Sequence, residues 1–129
     1  MIQRIQSLYL VLSSFLSFGI AHYLSNTFFE GSLFKLLVEY YAFYILPTIL
    51  VFILFLFKKR KLQIMLTTLV MLLHVLFLGV LLFENASQIL SHNFAFPILG
   101  GIGVLLGLFK ANFHIRKDEE LVRSVDRIR

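Results

Sequence analysis

The chain has 129 residues, 59% of them hydrophobic and 15% charged, with a formal net charge of +5 and no cysteine. Soluble proteins average roughly 45–50% apolar and about 25% charged residues, and a water-soluble chain this short has too little interior to hide the excess. The absence of cysteine excludes disulfides, thiolate nucleophiles and Cys-ligated metal or iron–sulfur sites.

The first apolar stretch, from about Ile5 to Leu24, reaches roughly 30 Å at 1.5 Å per residue, one bilayer core. It is longer than the roughly 7–15-residue core of a signal peptide and lacks a small-x-small cleavage pattern, so it reads as a retained helix. Between Ser25 and Tyr40, Leu33, Leu36, Leu37 and Tyr40 share one helical face, with Ser32, Lys35 and Glu39 opposite. That spacing suits a short helix lying on a membrane interface. The second span covers about 41–57, with Tyr40, Tyr41 and Tyr44 as an aromatic belt at its outer end. Pro47 is expected to kink it or mark its true start. Only Lys58–Lys59–Arg60–Lys61 separates it from a third span at 62–83, which predicts a tight hairpin. A fourth span follows at 94–115, with Pro97 in its first turn and Lys110 snorkelling toward one surface. The tail, 116–129, repeats Leu121, Val125 and Ile128 at i, i+4, i+7, with Glu119 four residues before Arg123. No Gly or Pro follows Gly107, so the last helix is free to continue into the tail. The expected architecture is an all-α, four-helix transmembrane bundle with a cytosolic extension of the last helix.

Charge orients this bundle. Arg4, the run Lys58–Lys61 and the segment from Lys110 onward hold eleven of the twelve Lys and Arg, with four acids. Lys35 alone falls on the other side, against Glu30, Glu39 and Glu84. An excess of Lys and Arg in short loops marks the cytosolic face, so both termini are expected in the cytosol of a multi-pass protein. The basic balance then reflects orientation, and no nucleic-acid partner is implied. Membrane lipids are the expected surroundings, and Lys58, Lys59, Arg60 and Lys61 serve as a topology signal or touch anionic headgroups.

Chemistry-bearing residues are few. His74 lies near the middle of the third span, where an ionisable residue raises the question of function. Ser14 and Thr48 fall at similar depth, so the three form a candidate midplane polar cluster. One reading makes His74 a proton or substrate waypoint. The simpler one makes it a neutral imidazole bonded to Ser13, Ser14, Ser17 or Thr48 across the bundle. Spans one to three hold no charged residue beside it, so a relay would lack a carboxylate. His22 and His92, with Glu84 and Glu30 near them, match no metal-binding spacing, and no metal or other cofactor is expected. Gly100, Gly103 and Gly107 on the fourth span let another helix approach closely, by default the first span of the same chain. The triplet Asn85-Ala86-Ser87 matches a glycosylation sequon, a pattern common by chance. No phosphate loop, nucleophile elbow or paired carboxylates occur, and no enzymatic role is expected.

MIQRIQSLYL at positions 1–10, KKRKLQI at 58–64 and IRKDEELVRSVDRIR at 115–129 together resemble a family of small four-helix Bacteroidetes inner-membrane proteins known only as a domain of unknown function. The resemblance implies a bacterial inner membrane, and it carries no catalytic residues. The family pattern has polar or basic residues where this chain has Met65, Thr67, Thr68 and Val70, and a basic residue where Phe113 stands. What is shared lies at the basic face: Arg4, the turn and the tail. The leading expectation is a non-enzymatic accessory or scaffold subunit that docks a protein partner there, through Leu121, Val125, Ile128, Arg123 and Arg127. The alternative is a small transporter or channel subunit, which at four helices per protomer requires a homo-oligomer.

Overall fold

The computed structural model describes residues 2–26, 43–57, 59–84 and 92–126. The interfacial helix expected within 25–40 falls mostly outside these residues, as do Glu30, Lys58, the Asn85 triplet, Arg127 and Ile128. The described residues form four helices: α1 (Ile2–Asn26), α2 (Phe43–Phe55), α3 (Arg60–Glu84) and α4 (His92–Asp126). Three of them contain stretches long and apolar enough to cross a membrane, Ile5–Leu24, Arg60–Phe83 and Ala95–Ser124. The apolar part of α2, Tyr44–Phe55, is shorter.

The polarity of these helices is inverted relative to a bundle in water. Phe15, Phe55 and Phe83 stand 74%, 72% and 86% exposed. Gln6, Ser13, Ser14, Ser17, Gln63, Thr67, His74 and Asn112 are buried. A helix in water turns its apolar stripe inward and its polar face out. Here both the outer surface and much of the core are apolar, and most of the polar side chains along the apolar stretches hide between helices.

The helices alternate in direction. α1 packs most extensively on α4 and then on α2, while α3 sits against α4 and more lightly against α2. Buried Leu10, Ile20, Leu24, Leu50, Val70, Val104 and Leu108 build the core. The α1–α4 seam is a run of close pairs: Gln6 with His114, Gly107 with Ser13, Gly103 with Leu16, Gly100 with Ile20, and Phe96 with Tyr23. Along both helices the contacting positions step by three, four or seven residues, the spacing of a supercoiled helix pair. A methyl carbon placed on Gly100 would lie 3.0 Å from Ile20 Cδ1, and one on Gly103 3.0 Å from Leu16 Cδ2. Both are tighter than ordinary contact, so an added methyl would push the ends of Ile20 and Leu16 aside by a few tenths of an ångström. Gly101 faces the other way, toward Leu78 on α3.

The turn between α2 and α3 comes two residues earlier in the chain than the sequence suggests. The second span was expected to reach Phe57, yet α2 ends at Phe55. Leu56 N–H donates to Ile53 O (3.1 Å) and Lys59 N–H to Leu56 O (2.9 Å), which winds the last turn into i→i−3 bonds. Lys59 O then accepts from Gln63 N–H (3.0 Å), opening α3. The two prolines stand inside the helices. Pro47 is the fifth residue of α2, and Pro97 is the sixth of α4, one turn later than the sequence places it.

Candidate functional site

Polar side chains gather in two layers. The first is near mid-length. His74 on α3 reaches α1, where its Nε2 lies 3.3 Å from Ser17 Oγ. Its Nδ1 lies 3.1 Å from Val70 O, one turn back on its own helix. A carbonyl only accepts, so Nδ1 carries the proton, and in the neutral ring Nε2 accepts from the Ser17 hydroxyl. Both ring nitrogens are therefore occupied.

Ser14 does not join His74. Its hydroxyl donates to Pro47 O on α2 (3.1 Å). Thr48 is exposed, and its hydroxyl turns back to Tyr44 O (2.5 Å) on its own helix, as threonines in helices do. The expected trio of Ser14, Thr48 and His74 is thus not one cluster: Ser14 bonds Pro47, Thr48 bonds Tyr44, and His74 bonds Ser17 and Val70. Buried Ser13 differs again. Its Oγ has no hydrogen-bond partner among the described residues, and it faces Gly107.

Replacing His74 with Leu removes one long cross-helix bond and fills the same space with an apolar side chain. Such bonds average about 0.6 kcal/mol inside membrane proteins. The expected loss of stability, measured by denaturant titration in detergent, is about 1 kcal/mol or less. A loss several times larger would mean that His74 carries more than these two bonds.

The second layer was not foreseen. It lies at the basic end, where α1 and α3 begin and α2 ends, against Asn112–Asp118 of α4. Gln63 Nε2 donates to Ile53 O (3.4 Å), a carbonyl at the end of α2 that also accepts from Leu56 N–H. Thr67 Oγ1 donates to Gln63 O (2.8 Å). Gln6 Nε2 donates to His114 O (3.0 Å), beside a Tyr9–His114 ring stack with centroids 5.8 Å apart. Asn112 Nδ2 donates to Thr68 Oγ1 (2.9 Å), and Thr68 donates onward to Ile64 O (2.8 Å). Arg116 Nε donates to Asn112 Oδ1 (3.3 Å). Arg60 Nη1 donates to Asp118 O (3.0 Å), tying the start of α3 to the far part of α4. A sequence signal existed: Gln6, Gln63 and Asn112 are uncharged amides at the margins of apolar stretches, where each needs a partner.

Beyond this layer α4 continues to Asp126 as one 35-residue helix. Leu121 and Val122 are half-exposed there, and Arg123 Nη2 pairs with Glu119 Oε1 at 2.7 Å. The side chain of Val125 falls outside the described set. Of the basic turn, Lys59 and Lys61 are exposed, and Arg60 is partly buried. Among the described residues no three His, Asp or Glu side chains gather as a metal site would require, and His92, Glu84 and Glu30 lie outside the described side chains.

No curated protein and no solved structure matches this chain. Residues 23–128, which run from the end of α1 to the tail, match the model of a family described as Domain of unknown function (DUF4293), and the chain belongs to that family.

Proposed function

We propose that this is an integral protein of a bacterial inner membrane, with both termini in the cytosol, acting as a non-enzymatic accessory or scaffold subunit. Its role is to present the basic end and the overhanging part of α4 to a protein partner. The overhang carries this reading. At 35 residues α4 is roughly 52 Å long, against a hydrocarbon core of about 30 Å. Its last turns hold Leu121 and Val122 half-exposed, with paired charges beside them. A helix with an apolar edge and a balanced charged face suits docking against another protein.

Membrane residence is supported by three long apolar helices whose large side chains point outward. The orientation is supported by eleven basic residues at one end against one at the other. The bonding of His74 on both ring nitrogens favours the scaffold over a transporter, because a waypoint residue must be open to its cargo.

Mild-detergent purification of the full chain, beside a form with Leu121, Val125 and Ile128 changed to Ser, checks the proposal. Partners recovered with the native form are expected to fall at least fivefold with the triple variant. Equal recovery rules out docking through the tail.

A further inference from the structure

Two openings on the α1–α2 side of the bundle have complementary chemistry. The first is a cleft of about 30 Å³ at the basic end, lined by Gln6, Ser7, Leu54, Phe57, Arg60 and Gln63. One water needs about 10–15 Å³ of such space, so the cleft holds about two or three waters, whose places phosphate oxygens can take. The second is an apolar groove of about 230 Å³, lined by Val11, Ser14, Phe15, Phe18, Val51 and Leu54. Leu54 belongs to both.

The openings follow one seam. On α1, Ser7, Val11, Ser14, Phe15 and Phe18 recur at steps of three and four, one stripe of a helix. Val51, Leu54 and Phe57 step by three on the facing segment. From Ser7 to Phe18 is roughly 16 Å along α1, half of a hydrocarbon core of about 30 Å. The seam is therefore as deep as one leaflet, polar at the surface and apolar below. The Ser14 hydroxyl is spent on Pro47 O, which keeps the groove apolar.

The cleft selects for negative charge. Arg60 spends one N–H on a backbone carbonyl, and no carboxylate pairs with it among the described residues. Gln6 and Gln63 are both buried, and each amide nitrogen that bonds a carbonyl has a second N–H. Lys59 and Lys61 stand exposed beside Arg60, and no acidic residue lines the cleft. A guanidinium flanked by amide donors matches the planar, multidentate recognition of phosphate oxygens.

We propose that this seam binds one anionic phospholipid of the leaflet at the basic end, with its phosphate in the cleft and an acyl chain along the groove. The site rests on the membrane orientation proposed above, and its contents are independent of any partner of the tail.

Native mass spectrometry of the full chain in detergent, titrated with phosphatidylglycerol, phosphatidylcholine or inorganic phosphate, tests the assignment. Phosphatidylglycerol is expected to bind at least tenfold more tightly than phosphatidylcholine. Arg60→Gln is expected to remove most of that preference, and Arg60→Lys to keep part of it. Val11→Trp, which fills the groove, is expected to weaken both lipids. Helix content by circular dichroism identifies any variant that fails to fold, and the native chain's lipid preference stands as a readout regardless. Equal binding of the two lipids, or an unchanged preference in folded Arg60→Gln, overturns the site. Inorganic phosphate that binds alone and displaces phosphatidylglycerol at millimolar concentration also overturns it, since the cleft would then be an anion site without a lipid. A native chain that stays dissolved without detergent would instead refute the membrane reading itself.

Discussion

Gly107→Ala is expected to destabilise the bundle by about 1 kcal/mol, and Ser13→Ala in the same chain to restore most of that loss. The added methyl carbon lands on Ser13 Oγ, inside the distance real side chains keep. The seam resists opening because the neighbouring pairs, Gly103 with Leu16 and Gly100 with Ile20, are already tight. Ser13 Cβ lies 3.6 Å from the same point, an ordinary contact, so the hydroxyl alone causes the conflict. That hydroxyl is buried and has no partner among the described residues. Ser13→Ala by itself should therefore be neutral or stabilise the protein by about 1 kcal/mol, because an unpaired buried polar group costs about that much or more. The four proteins form a double-mutant cycle, measured by denaturant titration in detergent, with a coupling energy of about 1 kcal/mol or more. Gly107→Leu cannot be rescued this way and should yield no folded monomer. Additive effects of the two alanine substitutions would show that Gly107 and Ser13 do not meet.

The contrast between Gly107 and His74 shows how far sequence reaches. Hydropathy alone locates the long spans, because outward-facing and core residues are both apolar and only length decides. The end of α2 was misplaced by two residues, since i→i−3 bonds at the turn leave no mark in composition. The glycines announced a close approach, and the helix they meet is α1, the default partner. The matching signal in α1 is that Gln6, Tyr9, Ser13, Leu16, Ile20 and Tyr23 repeat an alternating step of three and four. Depth counting put Ser14, Thr48 and His74 together, and it failed on rotation. Residues at one height point in different directions around their helices, so Ser14 meets α2, Ser17 meets α3 and Thr48 turns outward. The amides of Gln6, Gln63 and Asn112 carry no charge that would mark their layer in the sequence. Neutral amides cost less to bury, yet they too must be bonded when water is absent.

The orientation carries the largest expected effect, and this chain is well suited to measuring it. With no native cysteine, a single introduced thiol reports its own side of the membrane without background. Ser32→Cys is expected to react with an impermeant maleimide in intact cells, and Ser124→Cys only after the membrane is opened. Changing Lys58, Lys59 and Lys61 to Gln, while adding Glu30→Lys and Glu39→Lys, moves the basic count from eleven against one to eight against three. Arg60 stays, so its bond to the Asp118 carbonyl and the start of α3 are preserved. Short loops are counted by Lys and Arg, and acids contribute little, so a measurable fraction of this variant should insert the other way round. Its Ser124→Cys thiol should then react in intact cells. If the native chain already labels at Ser124→Cys from outside, the basic end faces the wrong compartment. Both the partner-docking tail and the leaflet assigned to the lipid would fall with it, because each depends on which side those eleven charges occupy.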